Sequence, residues 1–447
     1  MAFSWAGGTR GTGTRTAPGG AGDGTGWYPV ARSSDVGTSP LPVGAGGQPF
    51  VVVRLAPGAE VTAVGARCPH RLVPLTTATV VDGRLQCGYH GWQFNAEGRC
   101  TLIPALGPDG APPPRADLAV PWAVEERDGW VWLAPERTTV ARPPRAGGSH
   151  PAPDPEQVPE LPEPAGPVLG NLDPALEHAW HPVALAAELR DGGYVQVRLL
   201  GRNWTVHRRG GALDADPPAW GVTERLGLIW LAPDEPRDRP LPVPEADDPR
   251  CTAAWLPPAR TAAPAGPLVD ALVDVAHVPF VHASAAGQDG EVPDQPVTRE
   301  PGGFCSRQER AVADGVLQVT YVHRAPFQLL LRLTPPDGAA TTVVTVLQPE
   351  DADSTRVYTC LFLRGVDGQP VPAAVLAAEV AAEQAALAED LRLVAGTAST
   401  GLPLLLRDEL HVRSDRLGVA LRRALADFAA ESAALDRATD LEHRASA

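Results

Sequence analysis

Lysine is missing from this 447-residue chain, so every one of its 38 basic residues is arginine, set against 53 acidic ones. The formal net charge is −15 and no basic run stands anywhere, which argues against a nucleic acid or an anionic membrane as partner. Cysteine is sparse and scattered. Six thiols without a framework spacing exclude a disulfide-stapled secreted domain, and Cys100, Cys251, Cys305 and Cys360 are most simply reduced core or near-surface thiols. No glycine-rich nucleotide signature occurs, so any NAD(P)H or flavin chemistry has to lie on another protein. No signal peptide opens the sequence and no apolar run could span a bilayer, so a soluble, cytoplasmic protein is expected.

What is present is enough for several cores: 44% of the residues are hydrophobic. The length suggests about three domains at roughly 150 residues each. Residues 1–26 offer little to bury and are expected to be disordered. From Trp27 the pattern becomes short β-branched runs (50–53, 61–64, 79–81, 130–133) separated by turns such as Asp82-Gly83 and Glu97-Gly98, which predicts an all-β domain over 27–138. A Pro-rich segment, 139–171, reads as a stiff linker with a reach on the order of 100 Å.

Within the first domain, Cys68-Pro-His70 and Cys87-Gly-Tyr-His90 form two half-sites. Two thiolates on one iron and two imidazoles on the other would hold a two-iron cluster at the raised potential of a Rieske centre. The same atoms could hold zinc, but the flanking Pro69, Arg71, Tyr89, Gly91 and Trp92 resemble the two loops of a Rieske domain.

Parts of that domain recur. Trp27-Tyr-Pro-Val-Ala31 is echoed by Trp180-His-Pro-Val-Ala184 at an offset of 153, and the block Trp122–Glu136 by Trp220–Asp234 at an offset of 98. The second copy is therefore shorter by 55 residues, and the loss falls where the first copy carries its four ligands. Residues 172–247 are expected to be a degenerate Rieske-like β domain without cluster ligands; the bland alternative is that these are generic strand ends.

A third domain, 248–437, holds a second candidate site. Asp270, Asp274 and His277 are spaced to share one helix face, and His282 lies five residues beyond His277, about 140° away on a regular helix. The two imidazoles converge only if the helix breaks, and Pro279 between them is the expected break. Residues 303–364 read as antiparallel strands, 372–395 as a long Ala-rich helix, 408–437 as a further amphipathic helix and 438–447 as a frayed tail.

Together the motifs Cys68-x-His70…Cys87-x-x-His90, Asp274-x-x-His277-x4-His282, Glu389-Asp390 and Asp408–Asp415 make the chain resemble the oxygenase component of Rieske non-heme iron oxygenases, vanillate demethylase-like group. The resemblance covers 27–135 and 175–437. It implies an α+β architecture ending in a helix-grip catalytic domain, an antiparallel sheet with a long helix. It also implies a [2Fe-2S] cluster on Cys68, His70, Cys87 and His90, and a mononuclear Fe(II) on His277, His282 and Asp390, with adjacent Glu389 as the alternative carboxylate. Asp274 would bridge a cluster histidine to an iron histidine and orient the His277 ring. Ala271 stands where such proteins often have Asn, which puts a polar contact near the iron in doubt. Implied partners are O2, a small, largely apolar organic substrate, an NAD(P)H-dependent reductase with or without a ferredoxin, and two further copies in a homotrimer. The reaction would be hydroxylation or demethylation; the alternative is an electron-transfer or redox-sensing protein with a vestigial iron site.

Overall fold

The structure is a computed structural model and describes residues 25–145, 166–282, 290–397 and 399–446. The region expected to be disordered lies, but for its last two residues, outside them, as does most of the linker.

Three antiparallel sheets build the N-terminal domain. Trp130–Ala134 is central in the first, between Tyr28–Arg32 and Ala123–Arg127. The second runs Leu41–Ala45, Gln48–Arg54, Val61–Gly65. Their inward residues, among them Val30, Phe50, Val52, Val131 and Leu133, form one core. The third sheet has four short strands between Thr79 and Leu102 and carries one of the Cys-His loops.

Residues 181–232 reproduce the first two sheets without the third. Leu228–Ala232 is central between His181–Leu185 and Gly221–Arg225, and Tyr194–Leu199, Arg202–Arg209 and Ala212–Asp216 form the companion sheet. Even the register irregularity recurs, between Pro29 and Ala31 in one lobe and between Pro182 and Ala184 in the other.

The C-terminal domain is an eight-stranded antiparallel sheet whose long members are Gly303–Val312, Gly315–Arg324, Gln328–Thr334, Ala340–Asp351 and Ser354–Arg364. Strand side chains alternate between faces, and here both faces are buried. One packs Val319, Tyr321, Leu329, Leu347 and Val357 against helices α1 (Ala265–Val273), α3 (Ala373–Ala395) and α4 (Arg416–Ser446). The other packs Val344, Val346, Tyr358 and Phe362 against Leu228 and Trp230 of the cluster-free lobe.

Three expectations need correction. The segment read as linker through Asn171 is packed from Gly166 onward: Val168–Leu169 pairs with Leu402–Pro403. Asn171 is buried, its amide donating to Asp351 O, Ser354 O and Thr355 Oγ1 while its oxygen accepts from Ala265 N. Asn171→Ala would strand those groups in the interior and is expected to cost about 3 kcal/mol, read as a loss of hydrogen-exchange protection in the Ser354–Arg364 strand; unchanged protection would remove the pin. The last helix starts at Arg416 and runs to Ser446, so residues 408–415 are not its first turns and 438–446 are not a frayed end. Residues 408–415 hold only short 3-10 turns. Finally, Asp270, Asp274 and His277 do not share one helix. Helix α1 ends at Val273, because the Asp274 carboxylate accepts the Ala276 N–H two residues on and replaces the next helical turn.

Candidate metal centres and the bridge between them

The two Cys-His loops are tight turns closed by their own main chain: Leu72 N donates to Cys68 O and Gly91 N to Cys87 O, both at 3.0 Å. Cys68, His70, Cys87 and His90 are each at most 2% exposed. A hydrogen bond from Cys68 is the chief cause that brings Cys87 down to about 7, while burial raises Cys68; thiolate is the ligating form. His70 Nδ1 and His90 Nδ1 face each other at 3.1 Å. Their Nε2 atoms point the other way, His90 to Asp274 Oδ2 at 2.9 Å and His70 to Asp415 Oδ1 at 3.1 Å.

That arrangement fixes the tautomers. An ionised carboxylate only accepts, so each Nε2 carries the proton and each Nδ1 presents a lone pair. Burial lowers His90 to about 4. Asp274 and Asp415, though burial alone would raise them, are held well below the usual carboxylate range by the histidines and Arg71. Two lone pairs aimed at each other in a dry site beside two thiols are the donors of a metal centre, a two-iron cluster or a zinc ion. Trp92 stacks on His70 at 4.6 Å.

The carboxylates belong to a buried ionic network that the sequence did not reveal. Arg71, next to the ligand His70, lies 3.4 Å from Glu409, 3.6 Å from Asp415, 3.8 Å from Asp274 and 4.0 Å from Asp270. Arg422, with no exposed surface, holds Asp270 through two contacts at 2.6 and 2.9 Å and Glu409 at 2.5 Å. Arg422 thus grips Asp270 as a bidentate fork, the geometry for which arginine is suited and lysine is not, while Arg71 offsets the charge of all four carboxylates mainly by proximity. Asp415 and Glu409 sit in the stretch quoted above for its resemblance, where no role was attached to them.

At the second site His277 and His282 flank a single helical turn, α2 (Val278–Val281), His277 as its N-cap and His282 as its C-cap. The break therefore comes ahead of Pro279, which sits in the first turn, where it needs no donor. Leaving the helix at both ends brings the two Nε2 atoms to 3.2 Å. Asp390, 5% exposed on α3, places Oδ1 3.3 Å from one and 3.5 Å from the other. One ligand atom from each of the three lies within 4.8 Å of the others. Asp390 Oδ1 is buried without a hydrogen-bond partner, an expensive state for a carboxylate oxygen unless a cation joins it. Glu389 points elsewhere: its Oε2 accepts from His282 Nδ1 at 3.0 Å. The set is two imidazoles and a carboxylate, the donors of a facial iron site.

Asp274 meets the cluster side directly but not the iron side. Its second oxygen is spent on Ala276 N, and His277 Nδ1 is buried without a hydrogen-bond partner. The expected orientation of the His277 ring by this carboxylate is therefore not seen. The influence is electrostatic: burial opposes the charged imidazole, yet Asp390 and Asp274 outweigh it and raise His277. From Asp274 the path to His277 continues through three peptide units of main chain. Ala271 is fully buried in the apolar core and adds no polar group near the iron.

Comparison with known proteins finds matches over both the N-terminal and the C-terminal domain. The family signature "Rieske [2Fe-2S] domain" matches residues 26–121, and "Vanillate O-demethylase oxygenase C-terminal domain" matches 301–431. Protein TIC 55 of Arabidopsis thaliana is 30% identical over 202 residues, 44% of this chain and 34% of that protein. The vanillate O-demethylase oxygenase subunit of a Pseudomonas species is 34% identical over 117 residues, 26% of this chain and 31% of that protein. A solved structure of a Pseudomonas putida NdmA mutant with theobromine matches 89% of this chain and 88% of its own, at 20% identity and a TM-score of 0.39. The chain spans about a third of the length of these curated relatives. The two signatures give the chain a Rieske [2Fe-2S] domain and a C-terminal domain of the vanillate O-demethylase oxygenase type. Its cofactors are accordingly a [2Fe-2S] cluster and a mononuclear Fe(II).

Proposed function

We propose that the chain is an O2-dependent oxygenase that hydroxylates or demethylates a small, largely apolar organic substrate. The observation that carries this reading is the 2.9 Å contact between His90 and Asp274, which links one candidate centre to the loop that bears the other. Cys68, His70, Cys87 and His90 would hold the [2Fe-2S] cluster. His277, His282 and Asp390 would hold Fe(II), which supplies O2 activation at its open positions. Asp274 keeps the His90 proton on Nε2 and fixes the ring. Glu389 does the same for His282, keeping Nε2 free to ligate.

Electrons would come from an NAD(P)H-dependent reductase, with a ferredoxin where one intervenes. Among the described residues no helix is long and apolar enough to cross a membrane; the cytoplasmic location expected from the sequence and the homotrimer implied by the resemblance belong to the same proposal. The electron-carrier alternative leaves the convergence of three ligands, one of them a bare buried carboxylate oxygen, without a purpose. Iron analysis tests the choice. About three irons per chain are expected for the oxygenase, whereas two, with no consumption of O2 by reduced protein and an apolar aromatic substrate panel, would leave a carrier.

A further inference from the structure

The cluster domain and the catalytic domain that meet here belong to one polypeptide, and their junction is built over its whole area. Beyond the two histidine–carboxylate contacts and Arg71, the main chains bond directly: Leu410 N donates to Pro69 O at 3.1 Å and Val292 N to Ala105 O at 3.3 Å. Ala276, Val292 and Leu410 of the catalytic domain are buried in the same core as Val51, Leu75 and Trp92 of the cluster domain. Gly91 sits at φ 67°, and a Cβ there would stand 2.2 Å from the Phe280 ring, so glycine is needed for the approach.

The other lobe is elsewhere. Its Leu228 and Trp230 cover the sheet face opposite the helices, among Val344, Val346 and Tyr358. One catalytic domain thus carries two lobes of like strand order on separate surfaces: a cluster-free one contiguous with it and a ligand-bearing one seated over the iron loop. The surface able to receive a cluster is already filled by the chain's own domain. The sequence between Arg145 and Gly166 allows about 70 Å at full extension.

We infer that each chain is self-complete for electron transfer: its N-terminal cluster domain serves the mononuclear site of the same polypeptide, whatever the assembly. His90 and Asp274 would form the path along which an electron, supplied by the reductase through a cluster on Cys68, His70, Cys87 and His90, would reach an iron held by His277, His282 and Asp390 of that chain. The inference rests on the two-centre reading above, but its first test needs neither metal chemistry nor substrate. Ala105 and Val292 share a main-chain hydrogen bond, which brings their α-carbons within disulfide range. In the full-length holoprotein carrying Ala105→Cys and Val292→Cys, mild oxidation is expected to give a disulfide within one chain, migrating as monomer on non-reducing electrophoresis and assigned by peptide mapping. Covalent dimers or larger species, or no disulfide at all, would overturn the inference. A second test co-expresses two differently tagged chains, Cys87→Ser without a cluster and His277→Ala without iron, and purifies the mixed species. Its activity is expected to be no greater than the sum of the two parents. Recovery of about a tenth or more of wild-type cluster reoxidation would mean that clusters serve neighbouring chains. If the oxygenase reading itself fails, the wild-type chain will not turn over while the disulfide still forms.

Discussion

Asp274→Ala is expected to leave a reducible cluster and a bound iron yet slow the passage of electrons between them by about 100-fold or more. The carboxylate touches the cluster side through His90 Nε2 and starts the three-residue path to His277. Its loss does not threaten the fold by leaving a buried cation alone. Arg71 keeps Asp270, Glu409 and Asp415 within 4.0 Å, and Arg422 keeps Asp270 and Glu409. Removing one partner of a buried pair is costly when it orphans a charge, but this network has four carboxylates for two arginines. Asp274→Asn separates charge from shape. The amide oxygen can still accept Ala276 N, but its NH2 then meets the proton on His90 Nε2, donor against donor. Both variants should keep the Rieske-type EPR signal and iron content, and both should lose rapid cluster reoxidation in single-turnover stopped flow with O2 and substrate. Reoxidation at the wild-type rate in either would sink the bridge.

How much of this was legible in the sequence depends on how local each feature is. Cys68 and His70, or Cys87 and His90, sit within one turn each, so spacing alone displays them as pairs. The strands from 303 to 364 were legible because β-branched alternation and Gly/Asp/Pro turns are local signals too. Other features are not local. Asp415 reaches His70 across 345 positions of sequence, and Arg422 reaches Asp270 across 152; no periodicity links such residues. Arg71 beside a ligand was the one visible hint. The break after Val273 escaped notice because an Asp at that position reads equally well as a helix-face carboxylate; only the Asp274–Ala276 hydrogen bond decides it. Asn171 looked like the end of a linker because an amide that binds main chain from two separate segments leaves no compositional trace.

The assignment of the iron carboxylate gives the largest expected effect. Asp390→Ala should remove the mononuclear iron entirely, lowering the count from about three irons per chain to about two and abolishing oxygenation, while the cluster's EPR signal persists because the two centres share no ligand. Asp390 is the residue whose oxygen lies 3.3 and 3.5 Å from the two Nε2 atoms, buried and lacking any hydrogen-bond donor. Its neighbour sits on the far side of His282. Glu389 Oε2 accepts from Nδ1 at 3.0 Å, so it sets the tautomer of a ligand and is not itself placed to bind. Glu389→Ala is therefore expected to weaken iron binding by about 10- to 100-fold without eliminating it. Glu389→Gln should stay close to wild type, since the amide oxygen can still accept the Nδ1 proton. Titration of metal-free protein with Fe(II), followed by iron analysis after gel filtration, distinguishes the three variants. Should Asp390→Ala retain its iron while Glu389→Ala loses it, the ligand is the adjacent glutamate, and α3 must rotate by about 100° to present it.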